Sequence, residues 1–513
     1  MSARISKPDY VEQKIEAYRG NPFIEALPPI KSIDQTLVDI KNYPAIRTDC
    51  SGWLTEERTQ NVLTGLSFFQ PLNMHGLFAH TIDSMLRLGL VPRNLPQKHP
   101  EFWKGVDDVQ KRMKDNSKLI PSSQILCTSI IGASGIGKST AVTRILSQYP
   151  AIIEHPVERV GDAGRVQIPW LYVECGKTLG GLCRAFFAAL DKVFGYDTTD
   201  KKSHYFRYAK NKSLDELQNN VGHQAATYRI GVLVLDEMQY LSPVGVGLED
   251  ITNFLTRLSN VSKVPLVFIG TYKVLPILTR EFRLARRSTG IGSFVWHPMG
   301  WGETEAERER GREDWDNFIG ALWYFQYLDE KTELTTNLSN ALYDETQGIT
   351  DFAVKLFFLA QVRALIRGEK QITEGLIRQV SRDSVRLVAP ALKAFRSKVE
   401  GAGSLEQLAQ IGDISPLDFE KFYDKEMRRM VKLPSPGEEI ILPTPGAEVA
   451  DAEALQEDPP EKSKKAKSHK ADAPPLDKDD LRGLQKEAKE SDQSVSDVML
   501  ERDIIKSGTE FFE

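Results

Sequence analysis

One octapeptide, residues 132–139, has the residue types and spacing of a phosphate-binding loop. Its sequence, Gly-Ala-Ser-Gly-Ile-Gly-Lys-Ser, fits the pattern G-x-x-x-x-G-K-[ST]. In this pattern, backbone N–H groups and the lysine surround the phosphates of a nucleoside triphosphate. The expected cofactor contacts are Gly132, Ala133, Ser134, Gly135, Ile136, Gly137, Lys138, Ser139 and Thr140. The sequence therefore predicts an ATP site in which Lys138 contacts the phosphates.

Two carboxylates follow an apolar stretch farther along the chain. Residues 231–235 are Gly-Val-Leu-Val-Leu, and Asp236 and Glu237 come directly after them. A Mg²⁺ ion on the β- and γ-phosphates needs oxygen ligands or partners, which Ser139 and Asp236 can supply. Glu237 is then placed to polarise a water for attack on the γ-phosphate. A solvated strand end is the other interpretation, but beside a phosphate loop the pair predicts hydrolysis.

A third polar position ends another apolar stretch. Residues 264–270 are Val-Pro-Leu-Val-Phe-Ile-Gly, which is typical of a buried strand, and Thr271 follows them. The Thr271 hydroxyl could sense the γ-phosphate, whereas the alternative role is that of a helix cap.

A parallel sheet is the element that would position these residues. Five apolar stretches are candidate strands, at 125–131, 170–175, 231–235, 264–270 and 293–297. Helical stretches separate them, and this alternation indicates an α/β fold with a parallel sheet. The first helix, at 139–148, would direct its positive end at the phosphates.

Helical periodicity dominates after the last candidate strand. Trp315, Phe318, Leu322 and Phe325 recur at steps of three and four, which favours core packing over an aromatic binding site. A further amphipathic helix at 352–367 ends before a glycine, a suitable helix stop. A helical lid after the α/β core is therefore expected.

Composition limits the class of protein. Lys and Arg number 66 and Asp and Glu 71, so the formal net charge is −5 and any nucleic-acid contact must come from a local basic patch. Cys50, Cys127, Cys175 and Cys183 form no C-x-x-C pair, and the eight histidines form no metal-spaced cluster, which favours a reducing compartment and no zinc site. No stretch approaches the roughly 20 apolar residues of a membrane span, so a cytoplasmic protein is expected.

Composition also changes along the chain. Eight of the 27 prolines lie between Pro434 and Pro475, among residues too polar to form a core. Beyond them, a last stretch could form short docking helices on this tether. The expected segments are 1–118 (N-terminal extension), 119–300 (α/β ATPase core), 301–400 (helical lid), 401–433 (helical extension), 434–476 (disordered linker) and 477–513 (docking tail).

The strand series, the Asp-Glu pair, Thr271 and the following lid are similar to those of AAA+ ATPases. That resemblance implies an active site between neighbouring subunits, in which an arginine of one subunit reaches the γ-phosphate bound by the next. Arg286 or Arg287 would be this residue, with Arg283 a weaker candidate. An ordinary basic helix end is the competing interpretation.

A narrower resemblance covers residues 11–390. The peptide at 11–30, the segments at 234–239 and 269–271, the run at 283–287 and the helix at 354–365 resemble TnsC. TnsC is the ATPase regulator of transposons that use a TnsA/TnsB transposase, and MuB, IstB and TniB are its relatives. The N-terminal peptide and the 354–365 helix are the most specific of these segments.

The TnsC resemblance implies a homo-oligomer, as a ring or helical filament, that assembles on duplex target DNA when ATP is bound. It implies that hydrolysis switches the assembly, which links a target selector of the TnsD or TniQ type to the transposase. Residues 1–118 would meet the selector, and 477–513 the transposase. One departure stands out, because AAA+ proteins usually carry an arginine where Asp351 lies here. Lys355, one helical turn later, could replace it at the cofactor.

Duplex DNA is expected to contact Lys177, Lys210 and Lys212, which lie between the two nucleotide motifs. Two other functions stay open. A replication initiator or helicase loader would share the nucleotide site, although no convincing helix-turn-helix follows Val399. A signalling scaffold, in which ATP only locks an assembly, would not need Glu237.

Overall fold

A computed structural model describes three stretches of the chain. They are residues 5–93 without 46–49 and 51, residues 126–274 without 242–246, and residues 292–384 without 303. The predicted arginine run at 283–287 lies outside the described residues. So do the predicted segments at 401–433, 434–476 and 477–513, which therefore stay predictions.

Among the described residues, eight strands form two sheets. They are β1 (Ile5–Ser6), β2 (Cys127–Gly132), β3 (Ile152–Glu154), β4 (Val166–Gln167), β5 (Trp170–Glu174), β6 (Val232–Asp236), β7 (Leu266–Gly270) and β8 (Ser293–Trp296). The larger sheet is entirely parallel and has the order β5-β6-β7-β2-β8. Its strands are the five that the sequence predicts, so the parallel α/β fold is confirmed.

The smaller sheet has the order β1-β3-β4, with β1 parallel and β4 antiparallel to β3. Hydrophobic alternation does not predict these strands, because each is only two or three residues long.

Fourteen α-helices accompany the strands in the described part of the chain. They are α1 (Pro22–Glu25), α2 (Ile33–Ile40), α3 (Thr55–Leu63), α4 (Asn73–Leu90), α5 (Lys138–Leu146), α6 (Val157–Gly164), α7 (Leu179–Phe194), α8 (His204–Tyr208), α9 (Leu214–Thr227), α10 (Gly247–Ser262), α11 (Glu305–Trp323), α12 (Thr336–Thr346), α13 (Thr350–Arg367) and α14 (Glu374–Ser384). None of these helices is both long and apolar enough to cross a membrane.

The N-terminal region is built into the core of the α/β sheet. Phe78, Ile82 and Met85 on α4 are fully buried in the same hydrophobic cluster as the strands. Side-chain amides fasten the peptide around α1, since Asn21 Nδ2 donates to the Leu90 carbonyl and Gln167 Nε2 to the Phe23 carbonyl, both at 3.0 Å. Residues of the predicted N-terminal extension therefore complete the core that supports the nucleotide motifs.

A second hydrophobic cluster holds the lid helices α11 to α14 together. Trp315, Phe318, Leu322 and Phe325 are each at most 5% exposed, which confirms that their helical spacing reflects core packing. Helix α13 ends where Gly368 takes a left-handed backbone conformation, with φ +70°, as the predicted helix stop requires. The helix begins at Thr350, two residues before the predicted start, and these two residues reach the phosphate loop.

Candidate nucleotide-binding site

The phosphate loop lies between β2 and α5. Gly135 and Gly137 have positive φ values of +82° and +84°, a backbone conformation that other residues rarely adopt. At Gly132, the last residue of β2, an added Cβ would lie 2.3 Å from the Trp296 carbonyl oxygen of neighbouring β8. Ile136 is 3% exposed and packs in the core, so it contributes its backbone to the loop. The glycines therefore allow the tight turn that leads into the start of α5.

Lys138 is the first residue of α5 and extends along the loop. Its Nζ donates to the carbonyl oxygens of Gly132, at 3.0 Å, and Ala133, at 2.7 Å. The side chain is largely buried in the loop that it contacts. This arrangement keeps a cation at the place where the loop would hold phosphates, as the sequence predicts.

Ser139 and Asp236 are in direct contact. Ser139 Oγ donates to Asp236 Oδ2 at 2.6 Å, and the backbone N–H of Glu237 donates to Asp236 Oδ1 at 2.7 Å. The hydroxyl of Tyr172 on β5 donates to the same Oδ2. A hydroxyl and a carboxylate placed together in this way form a suitable donor set for Mg²⁺ beside a phosphate loop.

Tyr172 was not among the residues that the sequence singled out. In the register of β5 and β6, Glu174 is opposite Asp236, so Tyr172 is the diagonal neighbour of Asp236 on the adjacent strand. Burial and the negative charge of Asp236 raise the pKa of Tyr172 well above its usual range. The tyrosine hydroxyl therefore stays protonated and remains a donor to Asp236.

Glu237 takes a left-handed backbone conformation, with φ +57°, and precedes a short 3₁₀ turn at 238–240. Its Oε2 accepts a hydrogen bond from Gln239 Nε2. Gln239 Oε1 in turn accepts the backbone N–H of Thr271, at 3.2 Å. The structure thus brings together Glu237 and Thr271, two predicted site residues, through a glutamine to which the sequence pattern assigned no role.

Thr271 follows β7, next to the phosphate loop. Its Oγ1 is buried and has no hydrogen-bond partner among the described residues. Buried hydroxyls are normally paired, so this atom fits contact with a bound group such as a phosphate oxygen or an ordered water. Thr271 does not cap the described helical turn at 272–274 through its side chain, so the described hydrogen bonds do not support the alternative role.

The lid approaches the same loop through the first turn of α13. The Thr350 hydroxyl and the backbone N–H of Asp351 both donate to the carbonyl oxygen of Gly135, at 3.1 and 3.0 Å. The Asp351 carboxylate pairs with Lys355 Nζ at 2.6 Å. Asp351 lines the cavity, whereas Lys355 does not. The predicted contact of Lys355 with a cofactor therefore stays a prediction.

The phosphate loop, the ends of β6 and β7 and the lid line a solvent-open cavity of about 580 Å³, a size typical of small-molecule sites. Its lining combines the loop, the two carboxylates, the 3₁₀ turn, the end of β7 and the lid: Ser134, Gly135, Gly137, Lys138, Ser139, Thr140, Asp236, Glu237, Gln239, Tyr240, Gly270, Thr271, Asp351 and Phe352. The predicted catalytic and metal residues that the structure describes therefore surround one cavity.

The predicted DNA-binding lysines lie outside this cavity. Lys177 is exposed and follows β5, the edge strand of the sheet. Lys210 Nζ lies 4.4 Å from the centre of the Phe206 ring, and Lys212 Nζ lies 3.3 Å from Glu216 Oε1. Arg286 and Arg287 lie outside the described residues. Their roles stay predictions.

The sequence profile of the AAA domain family matches residues 123–278, which contain the loop, both carboxylates and Thr271. This chain carries an AAA domain. The parallel sheet with a phosphate loop after β2 is the AAA+ P-loop fold. The matched residues contain the sequence motifs and every residue of the cavity lining except Asp351 and Phe352, which the lid contributes.

Solved structures similar to this chain include proteins of the Cdc6 and ORC type. Cdc6p from Pyrobaculum aerophilum is 13% identical over 58% of this chain and 70% of its own, with a TM-score of 0.33. The ORC2 protein from Aeropyrum pernix, solved as ADPNP–ADP complexes, is 11% identical over 66% and 87%, with a TM-score of 0.32. A Walker-type ATPase from Pyrococcus abyssi is 15% identical over 66% and 92%, with a TM-score of 0.31. A comparison with curated proteins gave no match.

Proposed function

We propose that the AAA domain uses ATP hydrolysis to switch the assembly of this chain on duplex DNA, and that the assembly regulates transposition. The observation that carries the proposal is the pair of hydrogen bonds from the lid residues Thr350 and Asp351 to Gly135 of the phosphate loop. Because the lid is hydrogen-bonded to the loop that would hold the phosphates, a change at the phosphates would be transmitted to the lid. Such a link is what an ATP-dependent switch of assembly requires.

The cavity residues divide the chemistry among them in this proposal. Lys138 would contact the β- and γ-phosphates of ATP, while Ser139 and Asp236 would hold Mg²⁺. Glu237 would orient the attacking water, and Thr271 would contact the γ-phosphate or that water. Arg286 or Arg287 of a neighbouring subunit would complete the site.

The DNA interface is proposed to include Lys177, Lys210 and Lys212. The exposed ammonium of Lys177 lies at the carboxyl end of the edge strand β5, on the side of the sheet where the phosphate loop also lies. The ion pair of Lys212 with Glu216 is solvent-exposed, and such pairs contribute little stability, so it is readily exchanged for a phosphate. Backbone phosphate contacts of this kind would let the chain bind duplex DNA with little sequence preference.

The transposition role depends on the resemblance to TnsC. The two segments that carry this resemblance most specifically lie largely in the protein interior. Residues 356–364 of α13 are buried, and hydrogen bonds hold the peptide at 21–27 in the core. Contacts with a TnsD- or TniQ-type selector and a TnsA/TnsB-type transposase would therefore use other surfaces. We propose the remaining N-terminal residues for the selector and residues 477–513 for the transposase.

Assembly and partner binding by the full chain test this proposal together. Electron microscopy with a non-hydrolysable ATP analogue and duplex DNA should show rings or filaments that are lost with ADP or in the Lys138→Ala variant. The assembled chain should retain purified TnsB-type transposase in a pull-down. Retention of a replicative helicase instead would indicate an initiator or helicase loader, and assembly that is indifferent to DNA would indicate a scaffold.

A further inference from the structure

Gln239 contacts both the predicted catalytic carboxylate and the end of the neighbouring strand. Its Nε2 donates to Glu237 Oε2, and its Oε1 accepts the backbone N–H of Thr271 at 3.2 Å. One amide group therefore connects the end of β6 with the end of β7. Both ends line the cavity in which hydrolysis would occur.

The short turn that carries Gln239 is itself well anchored. Met238 is 3% exposed, and its Sδ lies 3.7 Å from Cys175 Sγ. The backbone N–H of Tyr240 donates to the Glu237 carbonyl at 3.0 Å. At Gly270, an added Cβ would lie 3.2 Å from Gln239 Oε1, so the glycine allows the end of β7 to approach the Gln239 side chain closely. The backbone of Gln239 is therefore held in place, and so is its Oε1 atom, which accepts the Thr271 N–H.

From these contacts we infer that Gln239 is a positioning residue, which fixes the Glu237 carboxylate in the orientation used for hydrolysis. The inference rests on the hydrolytic role proposed for Glu237. A glutamate side chain has three rotatable bonds, and a carboxylate that acts on a water must be held within a narrow range of positions. Gln239 supplies this restraint by tying one carboxylate oxygen to the end of β7. Movement at Thr271 would thereby be transmitted to Glu237.

The substitution Gln239→Glu separates the two contacts of the amide. A glutamate at this position can still accept the Thr271 N–H, but it replaces the donor to Glu237 with a second negative charge. The second carboxylate repels that of Glu237 and turns it away from position 239, so kcat should fall although the contact with Thr271 is kept. A residue that serves only to hold the end of β7 through Thr271 would keep that role in Gln239→Glu, and kcat would not fall.

The experiment compares the full-length chain with Gln239→Glu, Gln239→Ala and Gln371→Ala. Gln371 is a matched control, because its amide also donates to a carboxylate, that of Glu330 at 3.0 Å, but on the lid and away from the cavity. Both Gln239 variants should lower kcat by roughly 10- to 100-fold, the cost expected of a misplaced catalytic group, while the Kd of a fluorescent ATP analogue stays within about twofold. Thermal melting checks that each variant is folded.

A double variant keeps the inference falsifiable. If Gln239 acts only through Glu237, adding Gln239→Ala to Glu237→Gln should cause no further loss of kcat. Unchanged or raised kcat in either folded Gln239 variant would overturn the inference. Parental turnover by Glu237→Gln would instead overturn the hydrolytic role of Glu237, which is a different failure.

Discussion

The backbone N–H of Asp351 lies 3.0 Å from the carbonyl oxygen of Gly135, which joins the first turn of the lid helix α13 to the tip of the phosphate loop. The same aspartate places its carboxylate in the cavity lining, where AAA+ proteins usually present an arginine. A carboxylate at this position carries the same negative charge as a triphosphate and would repel it. The ion pair with Lys355, at 2.6 Å, only partly neutralises the carboxylate. The lid therefore contributes a backbone hydrogen bond that holds it against the phosphate loop and a carboxylate that would repel bound phosphates.

Asp351→Asn should strengthen ATP binding. The change keeps the backbone contact with Gly135 but removes the negative charge and releases Lys355 toward the phosphates. We expect a Kd for ATP about fivefold lower, which corresponds to roughly 1 kcal/mol of screened charge repulsion. Isothermal titration calorimetry at two salt concentrations measures the change, and the gain should shrink at high salt.

Asp329→Asn is the matched control for this substitution, because Asp329 is an exposed carboxylate, paired with Arg58 and outside the cavity lining. Adding Lys355→Ala to Asp351→Asn should abolish part of the gain if Lys355 contacts the cofactor. Weaker ATP binding by Asp351→Asn would contradict the repulsion and show that the ion pair serves to place Lys355.

Lys138 and Glu237 should separate ATP binding from hydrolysis. Lys138 contacts the loop that would hold the phosphates, whereas Glu237 is hydrogen-bonded to Gln239 and, in the proposed mechanism, would act only on the water. Lys138→Ala should therefore lose nucleotide binding and turnover, while Glu237→Gln should bind ATP with parental affinity and lose at least about 100-fold in kcat, the range of general-base catalysis. Equilibrium binding and single-turnover hydrolysis measure the two steps. Normal turnover by Glu237→Gln would remove it from the mechanism.

Tyr172→Phe should raise the Mg²⁺ concentration that half-maximal ATPase activity requires. The tyrosine hydroxyl donates to Asp236 Oδ2, the oxygen that also accepts from Ser139, so it orients a carboxylate at the proposed metal site. Losing such an orienting partner weakens metal affinity by about 10- to 100-fold. A Mg²⁺ titration at saturating ATP measures the shift. Tyr10→Phe, which removes a hydroxyl bonded to His155 instead, should leave the titration unchanged.

The sequence predicts which residues form this site better than it predicts the hydrogen bonds that join them. The loop at 132–139 and the pair Asp236–Glu237 follow from strict spacing rules, because glycine geometry and phosphate chemistry restrict which residues can serve there. Tyr172 follows from no such rule, since its contact depends on β5 pairing with β6 in one register. The glutamine link between Glu237 and Thr271 also depends on the order of strands in the sheet, which periodicity does not specify.

The lid shows the same limit. Its apolar helices could be predicted, because residues such as Phe318 and Leu322 recur at helical spacing and are buried. The hydrogen bonds of Thr350 and Asp351 to Gly135 join residues that are far apart in the sequence, since 215 positions separate Thr350 from Gly135. Contacts of that sequence separation come from tertiary packing, which local patterns do not encode.

The arginines at 286 and 287 should act on the nucleotide of a neighbouring subunit. They follow Thr271 at the distance expected in AAA+ proteins, which use an arginine in trans to stabilise charge on the transferred phosphoryl group. The double variant Arg286→Ala/Arg287→Ala should be inactive alone. Mixed with Lys138→Ala, it should regain part of the ATPase activity at interfaces that combine one intact loop with one intact arginine pair. Mixtures that co-assemble without any recovery would rule out a shared site.

Lys177→Ala should weaken duplex DNA binding more than Lys210→Ala/Lys212→Ala. Lys177 lies at the carboxyl end of the sheet, while Lys210 packs on Phe206 and Lys212 pairs with Glu216, so the latter two must leave other partners to reach DNA. Each lost phosphate contact should reduce the slope of log affinity against log salt by about 0.9. Filter binding with an ATP analogue, at two salt concentrations and on two unrelated duplexes, measures affinity, slope and sequence dependence. Lys370→Ala, an exposed lysine on the lid, is the control. Parental affinity and slope in both test variants would place the DNA interface on other residues, and the N-terminal region would be tested next.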